Sequence, residues 1–187
     1  DVAMTQLVSK RPFSGYWEYH IDAAAFTSPP IGNHSGAPLF NQKGELIGIG
    51  SLYVGDAMGG NRRFPGNMFV PVDLLKPILA EMQRTGGTAV SRRPWVGVTS
   101  AEQGGRVQIV RVSKESPAQK AGLAPGDLVL AVDGARVATL EEFYKKLWAR
   151  PRPDAEVSLT VLQGADLKTI VLKPVDRLNT MRKPAGI

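Results

Sequence analysis

The chain has 187 residues, 43% of them hydrophobic and 21% charged, a globular composition with room for one large or two small domains and none of the polarity of wholesale disorder. Its net charge of +6 does not make a nucleic-acid surface: Lys and Arg are scattered, and the pairs Arg62–Arg63, Arg92–Arg93 and Lys145–Lys146 lack an interleaved aromatic platform. With no cysteine and only two histidines, a disulfide framework, a thiolate metal site and a cysteine nucleophile are excluded, and no zinc ligand set is expected. No signal peptide is visible, and no apolar run approaches the roughly 20 residues of a membrane-spanning helix.

In chain order, "TQLVSKR" and "GYWEYHIDA" alternate as strands do, with a bend between them at Pro12 and Gly15. "APLFN" and "ELIGIGSLYV" predict a hairpin around Lys43–Gly44, and "NMFVPV" a further strand. Asp73 reads as the N-cap of a helix carrying Leu74, Leu75, Ile78, Leu79 and Met82, with Pro77 in its first turn and Gly86 at its end. "RTGGTAVSRRP" then breaks the pattern and opens a second half. There "WVGVTS" and "RVQIVRVS" are strands, "SPAQKAGL" a short helix, and "DLVLAVDG" a strand ending in an Asp-Gly turn. "TLEEFYKKLWA" is a helix with Thr139 and Glu142 in the capping-box arrangement, and "EVSLTVLQGADLKTIVLKPV" closes the half as a hairpin. The expected fold class is mainly β in the first half and α+β in the second, with a tail, "RLNTMRKPAGI", that has no periodicity.

One stretch carries chemistry. In "IGNHSGAPLFNQKGELIGIG", Ser35 lies between a histidine and a glycine just before a strand. A serine hydroxyl attacks only if a base takes its proton and backbone N–H groups hold the resulting oxyanion, which requires a sharp loop of small residues. Gly36 and Ala37 suit such a loop. A strand-to-helix nucleophile elbow does not fit, because a strand follows the serine. His34, adjacent to Ser35, is badly placed to be its base, since the imidazole of a triad approaches from another element. His20 reads as a half-buried structural residue.

"NHSGAPLFNQKGELIGIGS" resembles the nucleophile segment of trypsin-like serine proteases, usually written G-[DN]-S-G-G-P-L before two strands. With "DLLKPILAEMQRTG" behind it, the resemblance narrows to the HtrA (DegP-like) family and spans nearly the whole chain. It implies that the first half is part of a trypsin-like antiparallel β-barrel with a terminal helix. It makes Ser35 the nucleophile and the amides of Asn33 and Ser35 the oxyanion hole. Ser51 would border the substrate backbone, and Leu52 and Tyr53 one side of the cleft. The departures are Asn33 where the family has glycine, His34 where it has Asp or Asn, and a longer loop containing Pro29 and Pro30. The family's triad His and Asp lie upstream of this segment, so the chain reads as the C-terminal part of a larger protein. The alternative is a protease-like scaffold without activity, whose serine only turns a loop.

"PWVGV" and "SPAQKAGLAPGDLVLAVDG" resemble a PDZ domain, which takes a peptide C-terminus as an added strand and holds its carboxylate on backbone amides. The resemblance makes Trp95, Val96, Gly97 and Val98 the carboxylate loop. The stripe Leu140, Phe143, Tyr144, Leu147 and Trp148 supplies the groove helix, with Phe143 and Leu147 as its expected groove residues. The implied layout is a protease part over 1–88, a linker over 89–93, a PDZ domain over 94–176 and a tail over 177–187. The family frame further implies no cofactor or metal, unfolded or damaged proteins as substrates, peptide C-termini as partners of the PDZ domain, assembly into homotrimers, and a periplasmic or secreted location.

Overall fold

The structure is a computed structural model that describes residues 2–60, 62–88 and 91–181. It divides into two compact units, Asp1–Phe13 with Ile21–Gly87, and Ser14–His20 with Thr88–Ile187.

The first unit is built on β1 (Gln6–Gly15), β2 (Tyr19–Ser28), β3 (Pro38–Phe40), β4 (Leu46–Val54) and β5 (Gly66–Pro71), in one sheet of order β1-β2-β5-β4-β3. The pairings of β5 with β2 and β4, and of β3 with β4, are antiparallel. Its buried side chains come from the central strands: Ala24, Ala25 and Phe26 on β2, and Met68 and Phe69 on β5. The predicted β3–β4 hairpin is present. Asn41 fixes its turn, its Oδ1 accepting from the amides of Lys43 (2.9 Å) and Glu45 (3.0 Å).

Two expectations are corrected here. β1 runs straight through Pro12, and the bend falls at residues 16–18, so "GYWEYHIDA" is a turn followed by a strand. The helix expected from Asp73 is a 3-10 turn at Val72–Leu74 followed, after a break, by α1 (Leu79–Thr85). Pro77 explains the break, because it lacks an N–H and disfavours helical backbone at the residue before it. Asp73 caps nothing and instead takes Lys76 Nζ at 2.7 Å. Gly86 does end α1, in the left-handed conformation with φ 72°, its amide on the Met82 carbonyl.

The second unit contains β6 (Pro94–Trp95), β7 (Val98–Gln103), β8 (Arg106–Val112), α2 (Pro117–Lys120), β9 (Leu128–Val132), β10 (Ala135–Arg136), α3 (Leu140–Trp148), β11 (Val157–Gln163), β12 (Asp166–Leu172) and β13 (Val175–Asp176). The main sheet runs β12-β11-β9-β8-β7, with β10 paired to β9 and β13 to β6. The local signals are honoured. Ser116 and Thr139 cap α2 and α3, accepting from Gln119 N and Glu142 N, and Asp133 and Gly134 turn the chain with φ 48° and 77°.

Phe143, Tyr144 and Leu147 of α3 are fully buried with Ile109, Val129 and Leu159 of the sheet. Burying Phe143 and Leu147 contributes roughly 1.5–3 kcal/mol each. The tail does not fray at once: Arg177–Thr180 form a 3-10 turn, and the Arg177 amide bonds the Arg93 carbonyl at 2.9 Å. Residues 89 and 90 of the expected linker and 182–187 of the expected tail lie outside the described residues.

Candidate active site and peptide-binding loop

In the first unit, the chain leaving β2 crosses to β3 through a double turn that carries Ser35 at its exposed apex. The turn is strapped to β4 by two backbone hydrogen bonds of 2.8 Å, Gly36 N to Gly50 O and Gly50 N to Ala37 O. Ala37 N closes the turn on the His34 carbonyl at 3.0 Å. Asn33 has φ 53°, the left-handed region that asparagine tolerates better than most residues. Ser51 falls at the register shift between Gly50 and Leu52, and Tyr53, two residues on, is exposed.

Each histidine has partners of its own. The His34 ring is turned back on its own loop, with Nδ1 3.2 Å from the Ile31 carbonyl. His20, which belongs to the second unit, has Nδ1 2.9 Å from Ser14 Oγ and Nε2 3.9 Å from a Glu141 carboxylate oxygen.

The loop has a support that sequence reasoning missed. Asn67, fully buried on β5, accepts from Ile31 N with Oδ1 (2.7 Å) and donates from Nδ2 to the Ile31 carbonyl (3.4 Å). It reproduces for one loop residue what a neighbouring strand would supply. The only trace in the sequence is a polar residue opening the apolar run "NMFVPV". Asn67→Ala should cost about 1–3 kcal/mol, because the Ile31 amide loses its partner. Urea unfolding of the variant beside the parent chain measures this, and an unchanged midpoint would refute the support.

In the second unit, Val96 and Gly97 form the loop that separates β6 from β7. It is braced from below: Ala118 N donates to Val96 O (2.9 Å) and Ser113 N to Gly97 O (2.8 Å). The amides of Gly97 and Val98 both donate to one buried oxygen, Glu18 Oε1, at 2.9 and 3.2 Å. Gly97 has φ 86°, and a Cβ there would lie 2.3 Å from Ser116 Cβ.

Glu18 is 3% exposed, and burial pushes its carboxyl up to about 7, against the pull of the Gly97 and Val98 amides and the Arg177 charge. Phe143 and Leu147, expected on the groove wall, are completely enclosed in the core. Of the buried α3 stripe, Tyr144 reaches the turn at residues 16–18. Its hydroxyl donates to Gly15 O at 2.8 Å and accepts from Glu18 N at 3.3 Å, and burial raises its phenol above the ordinary value.

Residues 94–173 match the PDZ domain family. The chain is 30% identical over 171 residues to a probable periplasmic serine endoprotease DegP-like of Hahella chejuensis, covering 82% of this chain and 34% of that protein. It is 31% identical over 136 residues to the serine endoprotease DegS of Haemophilus influenzae, covering 70% of this chain and 38% of that one. Over most of its length the chain is similar to proteins of the HtrA (DegP-like) family.

It spans about a third of the length of these curated HtrA relatives. A solved HtrA-type protease, AlgW with a decapeptide, superposes with a TM-score of 0.52 at 21% identity, over 83% of this chain and 50% of that one. The shared fold is the mainly antiparallel β architecture, and the HtrA resemblance read from "NHSGAPL" and "PWVGV" stands. Several HtrA relatives are named periplasmic. Among the described residues, no helix is long and apolar enough to cross a membrane.

Proposed function

We propose that this chain is the C-terminal part of an HtrA-type serine endopeptidase, with Ser35 as nucleophile and a PDZ domain that binds peptide C-termini. The observation that carries the reading is the Ser35 turn: an exposed serine, preceded two residues earlier by left-handed Asn33 and strapped to β4 through Gly50. In this proposal residues 1–88 belong to the protease domain, 94–176 to the PDZ domain, 89–93 link them, and 177–187 are a tail.

The chemistry is acyl transfer. Ser35 Oγ attacks the scissile carbonyl, a histidine supplied by the rest of the protease domain takes its proton, and the amides of Asn33 and Ser35 face the developing oxyanion. The leaving amine then receives that proton, and water repeats the sequence to release the acyl group. Ser51, Leu52 and Tyr53 border the cleft. The exposed apolar side chains Leu74, Leu75, Leu79 and Met82, on and beside α1, fit a face completed by further protease structure. Trp95, Val96, Gly97 and Val98 form the carboxylate loop of the second unit, beside α3 with Phe143, Tyr144 and Leu147. Unfolded or damaged proteins are the substrates, no cofactor or metal takes part, the assembly is a homotrimer, and the location is periplasmic or secreted.

The test is labelling with a fluorophosphonate probe, read by intact mass, on the protein extended to a whole protease domain. One adduct is expected, and it should vanish in Ser35→Ala. Absence of any adduct on the extended protein would overturn the endopeptidase reading.

A further inference from the structure

The turn at residues 16–18 lies against β7 and the loop that precedes it. Ser100 N on β7 donates to Tyr16 O at 2.8 Å, and the loop amides before it take Glu18. As the turn advances from residue 16 to residue 18, its partners step back from Ser100 to Val98 and Gly97. It therefore runs antiparallel to β7 and brings its carboxylate to the loop last. That is the polarity of a peptide added to a strand edge with its terminal carboxylate on backbone amides. From the other wall, Tyr144 holds both ends of the turn through Gly15 O and Glu18 N. Arg177 Nη1 donates to the Glu18 carbonyl at 3.4 Å.

We propose that the Tyr16–Glu18 turn is an intramolecular ligand of the peptide groove, with the Glu18 side chain in the place of a chain-end carboxylate, and that an outside C-terminus binds by displacing it. This rests on the PDZ reading above and adds the regulation of its site.

The turn is built to hold and also to yield. Glu18 has φ 55°, an uncommon conformation for a residue with a side chain, kept only because its surroundings impose it. Its second oxygen, Oε2, is buried without a hydrogen-bond partner, as is Ser100 Oγ on the adjoining strand. A buried carboxylate with half of its acceptors idle is poorly solvated, in keeping with the burial that holds its carboxyl above the usual carboxylate range. A peptide's terminal carboxylate, on a free chain, reaches the same amides without the left-handed backbone of Glu18.

Two measurements on the full chain test this. The first follows the amide resonances of Gly97 and Val98 in wild type, Glu18→Gln and Glu18→Ala. Removing the carboxylate should shift both, and unchanged resonances would overturn the contact whatever the groove binds. The second titrates a fluorescent decapeptide pool, degenerate at its last three positions with a free C-terminus, against the same pool amidated. Glu18→Ala should bind the free-carboxylate pool about tenfold more tightly than wild type, as expected when a docked competitor occupies most molecules, with Glu18→Gln in between. Equal affinities for wild type and Glu18→Ala would overturn displacement while leaving the groove intact. Binding by neither, or equal binding of the amidated pool, would overturn the peptide-groove reading itself and displacement with it.

Discussion

Gly50→Ala should detach the Ser35 turn from its sheet. A Cβ on residue 50 would sit 1.8 Å from the His34 carbonyl oxygen and 2.8 Å from its carbon. Both obstacles are backbone, so no side-chain rotation relieves them, and the crowded residue already exchanges two hydrogen bonds with Gly36 and Ala37. Relief requires the turn to lift, which breaks both bonds. Overpacking of this kind costs about 1–3 kcal/mol, and each lost bond adds about 0.5–1.5 kcal/mol. A loss of roughly 2–6 kcal/mol is therefore expected in urea unfolding of the chain. In the extended protease the fluorophosphonate adduct should disappear as completely as in Ser35→Ala, although the serine is still present. A variant within about 0.5 kcal/mol of the parent, the usual scatter of a neutral surface change, would show that the turn does not lie on β4 as described.

Gly97→Ala is the counterpart in the second unit, with two costs that add. Left-handed backbone at φ 86° strains any residue with a side chain, by about 1–3 kcal/mol. The new Cβ would also meet Ser116 Cβ at 2.3 Å and Ser116 Oγ at 2.9 Å. Ser116 is buried and caps α2, so pushing it aside disturbs the cap as well, worth about 0.5–2 kcal/mol. The sum is roughly 1.5–5 kcal/mol, again read in denaturant. The amides of residues 97 and 98 should also lose their common acceptor, because the loop that aims them has moved. Retention of the Glu18 contact in a stable Gly97→Ala protein would contradict this account of the loop.

The two units were not equally legible from sequence. Turn and cap chemistry in the second half is local, so Asp133–Gly134, Ser116 and the Thr139–Glu142 box declared their structure directly. The helix expected from Asp73 failed because its apolar spacing was read across Pro77, and the backbone constraint at a proline outranks periodicity. Tyr16–Glu18 was absorbed into a strand for a different reason. Gly15 signalled a bend, but the turn residues themselves include no glycine, asparagine or proline, and Glu18 is held in the left-handed region by partners 79 and 80 positions away. Asn67 was missed on the same ground, since its loop partner is 36 residues distant. In the α3 stripe, spacing identified the buried face but not which member touches the turn, and the hydroxyl of Tyr144 was the chemical distinction available.

Because the occupant of the carboxylate loop is part of the same chain, its local concentration is fixed by covalent structure and does not fall on dilution. Self-occupancy then acts as a constant threshold. If the turn is docked in about ten molecules of eleven, an incoming chain end meets an apparent Kd about tenfold weaker than the intrinsic one, at any protein concentration. Abundant, weakly complementary chain ends are filtered out by that factor, and those with enough affinity to exceed it engage.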